Sequence, residues 1–254
     1  MKALVFAAGL GTRLKPLTDS IPKALIPVNG IPLLKHVVLK LKDAGVSEVI
    51  INIHHKGEQI VDFVHSENKF GIRVEFSDET GQLLDTGGGV KFASWFFDDA
   101  APFFVHNVDI LSNVDLVDFY SFHQQSGALA SLFVSERKSN RYLLFDNNNH
   151  LKAWVNETSS EVKPAGMEIS LLHKFAFNGI HVISPQLFQY MNQWEGKFSI
   201  IDFYLSIAFQ CPIAAYCPSG IETVDVGKMD ALEEANRMMV NASLNAKNTK
   251  TQSR

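Results

Sequence analysis

Short apolar runs alternate with longer segments of helical spacing through the first hundred residues of the chain. The apolar runs contain β-branched or aromatic residues and predict strands at 3–8, 49–53, 74–76 and 102–105. Between them, apolar positions at helical spacing predict helices at 33–44, 58–66 and 90–97. This alternation predicts an α/β fold with a mixed, mostly parallel sheet flanked by helices.

The second half of the chain is less regular. Alternating apolar positions predict strands at 128–134, 142–145, 151–155 and 175–183, followed by a helix at 185–191. We expect residues 1–240 to form one domain, with a small substrate-binding lobe at about 135–200. Residues 241–254 are rich in Asn, Lys, Thr and Ser and are predicted to be disordered.

The composition of the chain favours an ordinary globular protein and argues against several other classes. Hydrophobic residues make up 46% of the chain and charged residues 20%, as in ordinary globular proteins. The net charge of −4 argues against nucleic-acid binding, which needs a basic face. Since no apolar run has the length of a membrane span and the first one leads directly into a glycine-rich turn, we expect neither a membrane segment nor a signal peptide. The expected location is the cytoplasm.

A glycine-rich turn follows the first predicted strand. Gly9 and Gly11 let backbone N–H groups approach a phosphate chain closely. Arg13 adds a planar fork of donors, and Lys23 adds a second cation after a proline. A glycine pair alone would also fit an ordinary turn, but two cations beside it favour a triphosphate.

Two common phosphate-binding motifs are excluded. The run Gly-Lys-Ser/Thr of a P-loop does not occur. A dinucleotide-binding turn needs a small residue where Leu14 stands. The phosphate site, if present, is therefore of another type.

A longer pattern spans Gly9 to Val28: Gly-x-Gly-Thr-Arg-Leu-x-Pro-Leu-Thr, a short gap, and Pro-Lys-x-Leu-x-Pro-Val. It resembles the opening of the sugar-1-phosphate nucleotidyltransferases, which join a nucleoside triphosphate to a sugar 1-phosphate and release pyrophosphate. The likeness continues at 84–89, 108–109, 177–180 and 224–227. It implies a Rossmann-like fold of the GT-A type whose lobe at 135–200 binds the sugar.

The resemblance also implies roles for individual residues. Arg13, Lys23 and Asp109 would be catalytic. The nucleotide would contact Ala8, Gly9, Gly11, Thr12, Arg13, Lys23, Asp85, Thr86, Gly87 and Gly88. The sugar would contact Asn178 and Gly179.

Two carboxylates are candidate ligands of Mg²⁺, which prefers hard oxygen donors. Asp109 follows a predicted strand, although Val108 stands where the resembled family usually has glycine. Asp225 alternates with valines and precedes Gly227. Each alone would also fit a residue that caps a turn or faces solvent, but the resemblance implies that both bind the metal.

The run Leu84 to Gly89 is a second glycine-rich segment. Three glycines before a helix would let the backbone lie flat against a base or ribose, although a flexible turn is an alternative. Most relatives have glycine where Asp85 stands. The form Asp-Thr-Gly-Gly instead resembles the N-acetylmuramate-1-phosphate uridylyltransferase branch, which favours a uridine nucleotide over guanosine.

The sugar-phosphate contact is incomplete in the sequence. Many relatives have a Glu-Lys pair where Asn156 and Glu157 stand, so the lysine is missing. Lys163 and Lys174 are candidate replacements. Asp202 is predicted to lie in the first turn of a helix capped by Ser199, with a substrate role as the less favoured alternative.

The leading hypothesis is a Mg²⁺-dependent nucleotidyltransferase that acts on a nucleoside triphosphate and a sugar 1-phosphate as a monomer or homodimer. One alternative is a regulatory protein of the same fold that binds nucleotide without catalysis. Another is a glycosyltransferase that uses a ready-made nucleotide sugar. The chain lacks the Asp-x-Asp motif through which such glycosyltransferases normally bind their metal.

Overall fold

Strands form at each of the apolar runs that predict them. The computed structural model describes residues 1–238, so the predicted disorder of 241–254 lies outside the described residues. The strands are β1 (Lys2–Phe6), β2 (Pro27–Val28), β3 (Ile31–Pro32), β4 (Glu48–Ile53), β5 (Arg73–Asp78), β6 (Phe103–Asn107), β7 (Ile110–Ser112), β8 (Ala130–Ser135), β9 (Arg141–Phe145), β10 (Leu151–Asn156), β11 (Glu161–Lys163), β12 (His173–Ile183), β13 (Ile213–Tyr216) and β14 (Thr223–Asp225). The helices are α1 (Leu33–Asp43), α2 (Gly57–Ser66), α3 (Asp85–Phe92), α4 (Leu116–Ser126) and α5 (Ile200–Ile207), and residues 229–238 are also helical.

Ten of the strands form one mixed sheet in the described part of the chain. Its central strands lie in the order β5-β4-β1-β6 and are mutually parallel. Antiparallel pairing then continues through β12, β9, β10 and β11, while β8 and β13 extend a branch from β12. This arrangement confirms the predicted α/β class. The strand order reverses at β1, so a crevice opens between the carboxyl ends of β1 and β6.

Helices cover both faces of the parallel strands, which explains why these strands are apolar throughout. Side chains alternate across β1: Ala3 and Val5 join the core under α1, α2 and α4, and Leu4 joins the core under α3 and α5. Both cores are closed to solvent at this strand. The parallel strands are thus fixed from both sides, and their ends hold the loops of the crevice in place.

Strand β12 joins the parallel strands to the antiparallel lobe. Its first residues, His173–Phe175, pair with β9, and its last, Ile180–Ile183, pair with β6. Between them the pairing with β8 shifts register, and Gly179 adopts a left-handed φ of 70°. The lobe formed by β9, β10 and β11 lies within the predicted segment 135–200; its binding of sugar stays a prediction.

The structure corrects two predicted helices. Residues 90–97 were expected to be helical, but α3 begins at Asp85 and ends at Phe92, with a 3₁₀ turn at Ser94–Phe96. Residues 185–191 form a 3₁₀ helix rather than an α-helix. Among residues 1–238, none of the helices is both long and apolar enough to cross a membrane.

Candidate active site

A cavity of about 380 Å³ opens at the carboxyl ends of β1 and β6, where the strand order reverses. It is lined by Phe6, Ala7, Ala8, Gly9, Lys23, Asn52, Glu79, Leu83, Asp85, Thr86, Asn107, Val108, Asp109 and Lys197. Six of the sequence-predicted residues are in this set: Ala8, Gly9, Lys23, Asp85, Thr86 and Asp109. We call this space the first cavity.

The two glycines of the glycine-rich turn have different structural roles. A Cβ atom on Gly9 would meet no atom within 4 Å, so this position leaves open space toward the first cavity. Gly11 has a φ of 64°, and a Cβ there would lie 2.7 Å from Cγ2 of Thr18. The hydroxyl of Thr18 donates to the carbonyl of Gly11 at 2.9 Å and closes the loop. Gly11 therefore shapes the turn, whereas Gly9 lies at the cavity wall.

Lys23 and Asp109 form an ion pair across the first cavity. The side chain of Lys23 is 10% exposed and that of Asp109 is 21% exposed. The ammonium group comes from the 3₁₀ turn Lys23–Leu25, and the carboxylate follows β6. Because the pair is largely shielded from water, its charges act on a bound phosphate more strongly than surface charges would.

Asp225 is brought beside Asp109 by a two-stranded ladder. Strand β14 pairs with β7 so that Asp225 lies opposite Ile110, and the N–H of Val226 donates to the carbonyl of Asp109 at 2.8 Å. Desolvation and the negative charge of Asp109 raise the pKa of Asp225, while Lys23, Arg13 and Arg137 oppose the shift. The two carboxylates thus share one electrostatic environment.

Arg13 lies over the backbone at Gly227. A Cβ atom on Gly227 would lie 2.8 Å from Nη2 of Arg13 and 2.8 Å from Oδ1 of Asp225. Glycine at this position therefore lets the guanidinium and the carboxylate approach the same point. Arg13 and Thr12 are exposed and lie outside the lining of the first cavity.

The donor set fits a divalent ion such as Mg²⁺. Asp109 and Asp225 supply two hard oxygen ligands, and like charges in one place are stabilised by a cation between them. Within residues 1–238 no group of three or more His, Cys, Asp or Glu side chains forms a metal cage. Magnesium is commonly held by one or two carboxylates together with substrate phosphates, which suits this pair.

A buried polar network that the sequence did not indicate supports the other end of the first cavity. The Asn52 Oδ1 atom accepts from the N–H groups of Ala7 at 2.6 Å and Ala8 at 3.1 Å. Its Nδ2 atom donates to Glu79 at 2.9 Å, and Glu79 also accepts from the N–H of Leu84 at 3.0 Å. The network fixes the chain that leaves β1. A polar residue inside the apolar run 49–53 was its only sequence signal.

Gly87 and Gly88 do not line the first cavity; they lie in the first turn of α3 and are buried. A Cβ on Gly87 would overlap the ring of Phe198, and one on Gly88 would overlap the carbonyl oxygen of Gly196. The N–H of Gly87 donates to the carbonyl of Phe198 at 2.9 Å. These two glycines therefore serve the close packing of α3 against residues 196–198, and their contact with a base or ribose stays a prediction.

Replacing Gly88 with alanine is expected to lower the free energy of unfolding by about 1–3 kcal/mol, because the obstructing atom is backbone and the core would be overpacked. Urea denaturation would measure the change. Gly81→Ala is the matched control, since a Cβ there meets nothing within 4 Å and the change should be within about 0.5 kcal/mol. A stable Gly88→Ala protein with weaker nucleotide binding would contradict the packing role.

Asp85 and Thr86 remain at the cavity wall. Asp85 has a left-handed φ of 61°, which asparagine and aspartate tolerate better than most residues and glycine tolerates best. The hydroxyl of Thr86 accepts from the N–H of Ile200 at 3.0 Å and joins α3 to the start of α5. Asp85 also borders a second space, so it marks the boundary between two cavities.

The second cavity, of about 610 Å³, lies between the antiparallel lobe and α5. It is lined by Asp85, Ser139, Arg141, Tyr142, Leu143, Trp154, Lys163, Phe177, Ser199, Ile201, Asp202 and Asp225. Lys163 donates to Asp202 at 2.8 Å and lies 5.2 Å from the ring centroid of Trp154. Lys174 instead pairs with Glu157 at 2.5 Å and is not among the lining residues, although its ammonium group lies 4.8 Å from the ring centroid of Tyr142, which is.

Asn178 and Gly179 are not among the residues that line the first or the second cavity. Asn178 is fully buried, and its Oδ1 atom accepts from the hydroxyl of Ser135 at 3.2 Å and from Nε of Arg137 at 2.9 Å. A Cβ on Gly179 would lie 2.7 Å from Nδ2 of Asn107. Both residues contact their neighbours in this way, and their contact with the sugar stays a prediction.

Comparison with known proteins agrees with this geometry. A family profile described as "Nucleotidyl transferase" matches residues 2–241. The chain is 32% identical to N-acetylmuramate alpha-1-phosphate uridylyltransferase of Neisseria meningitidis serogroup B, over 74% of this chain and 77% of that protein. The chain belongs to the sugar-1-phosphate nucleotidyltransferase family.

Other family members with different names are also similar. Probable mannose-1-phosphate guanylyltransferase 1 of Oryza sativa subsp. japonica is 37% identical over 139 residues, which are 54% of this chain and 38% of that protein. The chain thus spans about two fifths of the length of such relatives.

A solved structure confirms the fold. The crystal structure of HddC from Yersinia pseudotuberculosis, complexed with GMP-PN, superimposes with a TM-score of 0.74 at 23% identity. The match covers 94% of this chain and 99% of that one.

Proposed function

We propose that this protein transfers a nucleotidyl group from a nucleoside triphosphate to a sugar 1-phosphate, releasing pyrophosphate. The observation that carries the proposal is the position of the charged groups. Lys23 and Asp109 line the first cavity, Asp225 lines the second, and the two aspartates lie beside each other. A reaction between two phosphorylated substrates needs such a junction, with cations and metal ligands where the cavities meet.

In the proposed reaction an oxygen of the sugar 1-phosphate attacks the α-phosphorus of the nucleotide, and pyrophosphate leaves from the opposite side. No protein nucleophile is required. Lys23 would offset the negative charge that develops on the leaving pyrophosphate, and Arg13, exposed at the rim beside Gly227, would contact the triphosphate. The first cavity would hold the nucleoside and the second the sugar.

Asp109 and Asp225 would hold Mg²⁺ together with substrate phosphate oxygens. When bound, the ion would neutralise phosphate charge and orient the reacting groups. The ion pair with Lys23 would hold the Asp109 carboxylate in position before substrates arrive.

We further propose UTP as the nucleotide, ahead of GTP. The support is the run from Asp85 to Gly88 and its likeness to uridylyltransferases; relatives named for guanylyl transfer are similar as well. The cytoplasm, where nucleoside triphosphates are available, is the proposed location.

The experiment that tests the function is a pyrophosphate-release assay with Mg²⁺. UTP, GTP, CTP, ATP and dTTP are each combined with a panel of hexose, N-acetylhexosamine and acidic sugar 1-phosphates. We expect release with one dominant pair, with UTP as the nucleotide. If no pair releases pyrophosphate while nucleotide binding is still measurable, the result would contradict transferase activity and favour a regulatory protein of the same fold.

A further inference from the structure

The phosphate of a sugar 1-phosphate is a second anion that must approach the nucleotide at Asp225. This requirement, and the inference below, rest on the proposed function. The lining of the second cavity contains three carboxylates, from Asp85, Asp202 and Asp225, which repel a phosphate dianion, and two cations, from Arg141 and Lys163. Besides the metal ion proposed at Asp109 and Asp225, a protein cation on this side of the cavity would help to bring the acceptor phosphate into place.

Lys163 is poorly suited to this role. Its ammonium group is 2.8 Å from the carboxylate of Asp202 and 3.9 Å from that of Glu161. The same group lies over the ring of Trp154. Its charge is already compensated at the lobe end of the cavity, where it suits hydroxyl groups of a sugar better than a dianion.

Arg137 is a cation that the sequence analysis did not select. It follows β8 and lines a separate cavity of about 480 Å³ together with Thr223 of β14. Thr223 and Asp225 are two residues apart on one strand, so they project to the same side. Arg137 thus borders the side of β14 from which the Asp225 carboxylate projects, and its charge acts on that carboxylate.

The guanidinium of Arg137 is held in a fixed orientation. Its Nε atom donates to Oδ1 of Asn178 and its Nη2 atom to the carbonyl of Phe177, both at 2.9 Å. Asn178 is fully buried and is itself held by the hydroxyl of Ser135. Phe177 lines the second cavity, so the clamp ties Arg137, which is itself exposed, to the wall of that cavity.

The remaining donors of Arg137 are available to a ligand. A guanidinium carries five N–H groups, and two of those in Arg137 are used by the clamp. The other three have no partner within residues 1–238, and the described part of the chain offers no carboxylate within salt-bridge distance of Arg137. The clamp thus fixes one edge of the planar guanidinium and leaves N–H donors on the other edge. The geometry of these donors matches that of phosphate oxygens.

We propose that Arg137 binds the phosphate group of the sugar 1-phosphate at Asp225, and that Asn178 positions this arginine without touching the sugar. The role predicted for Asn178 thereby becomes indirect. Lys163 and Asp202 are left to recognise the sugar. Since every sugar 1-phosphate carries the same phosphate, the contribution of Arg137 should be the same for all of them.

The test compares Arg137→Gln with wild type in two measurements. Binding of α-D-glucose 1-phosphate and α-D-mannose 1-phosphate is titrated in the presence of Mg²⁺ and a non-hydrolysable UTP analogue, and KM is measured with the best substrate pair from the panel. We expect affinity for both sugar phosphates to fall by about 10- to 100-fold, because charge-assisted hydrogen bonds to phosphate are lost. The affinity for the UTP analogue alone should change less than about twofold.

Two further variants keep the test decisive. Lys138→Gln removes one positive charge from the adjacent exposed position and should leave KM unchanged. Arg137→Lys keeps the charge but not the fork, so its KM should lie between those of wild type and Arg137→Gln. This variant also serves if the glutamine variant folds poorly.

The outcomes separate this inference from the proposed function. Unchanged KM and unchanged sugar-phosphate affinity in Arg137→Gln, with pyrophosphate release intact, would overturn the role of Arg137 alone. Absence of pyrophosphate release from wild type, with Arg137-dependent binding of both sugar phosphates, would refute catalysis and support the site. A loss seen for only one of the two sugars would assign Arg137 to the sugar and refute phosphate recognition.

Discussion

Replacing Lys23 with methionine is expected to lower kcat about 100- to 1000-fold. The ammonium group lies in the wall of the first cavity in an ion pair with Asp109, and both side chains are largely shielded from water. Methionine keeps most of the volume but offers no charge to the leaving pyrophosphate. Steady-state pyrophosphate release and single-turnover rates would measure the loss.

Lys15→Met is the matched control for Lys23. Lys15 belongs to the same sequence pattern, but its side chain is 64% exposed and pairs only with Asp19 at 3.3 Å. We expect its kcat to stay within about threefold of wild type, as for an exposed pair of small energetic value. Wild-type kcat in Lys23→Met, with the melting temperature preserved, would remove Lys23 from the reaction.

Asp109→Asn is expected to reduce turnover by about three orders of magnitude or more at ordinary Mg²⁺ concentrations. The amide keeps the shape of the side chain, and the backbone carbonyl still accepts from Val226, so the β7–β14 ladder should persist. The substitution removes one of the two carboxylates that are proposed to hold the ion. Residual activity should therefore require a higher Mg²⁺ concentration for half-maximal rate, which a metal titration would measure.

The control for this variant is Asp62→Asn, on the exposed side of α2, which should leave the metal titration unchanged. If Asp109→Asn lowers the rate by the same factor at every Mg²⁺ concentration, so that the concentration for half-maximal rate does not change, Asp109 positions Lys23 and does not hold the ion.

The parallel strands and α1 and α2 could be predicted because their local pattern agrees with their final environment. The β-branched run at 49–53 is buried on both faces as β4, and the helical spacing of 33–44 becomes α1. Helix α4, which no prediction included, is capped by Asp115, whose side chain accepts from the N–H groups of Val117 and Asp118. An aspartate at the N-cap position could have been used to predict the start of this helix, which the apolar pattern alone does not indicate.

The glycine run shows where local propensity misleads. Three glycines disfavour a helix, so residues 87–89 were expected to precede one. In the structure they form its first turn, because only glycine lets α3 approach Phe198 and Gly196 so closely. The partner lies more than a hundred positions away in the chain, so the local sequence does not indicate it.

Some residues of the candidate site could likewise be predicted from the sequence and others could not. Lys23 and Asp109 could be predicted because they belong to a long motif and to a strand end. Arg137 could not, because its orientation depends on Asn178 and Phe177 of β12, a strand that pairs with β8 about forty positions away in the chain. Pairing between distant strands, and the side chains that it fixes, is the information that a single sequence lacks.

The ladder of β7 and β14 has a consequence for biosynthesis. The first cavity is built from residues up to Lys197, but the second aspartate arrives only with β14. During synthesis the chain would complete the nucleotide walls and Asp109 well before the pair of carboxylates exists. A chain that ends before Thr223 would therefore lack Asp225, one of the two proposed metal ligands. The proposed metal site is thus completed only when β14 has been synthesised and has paired with β7.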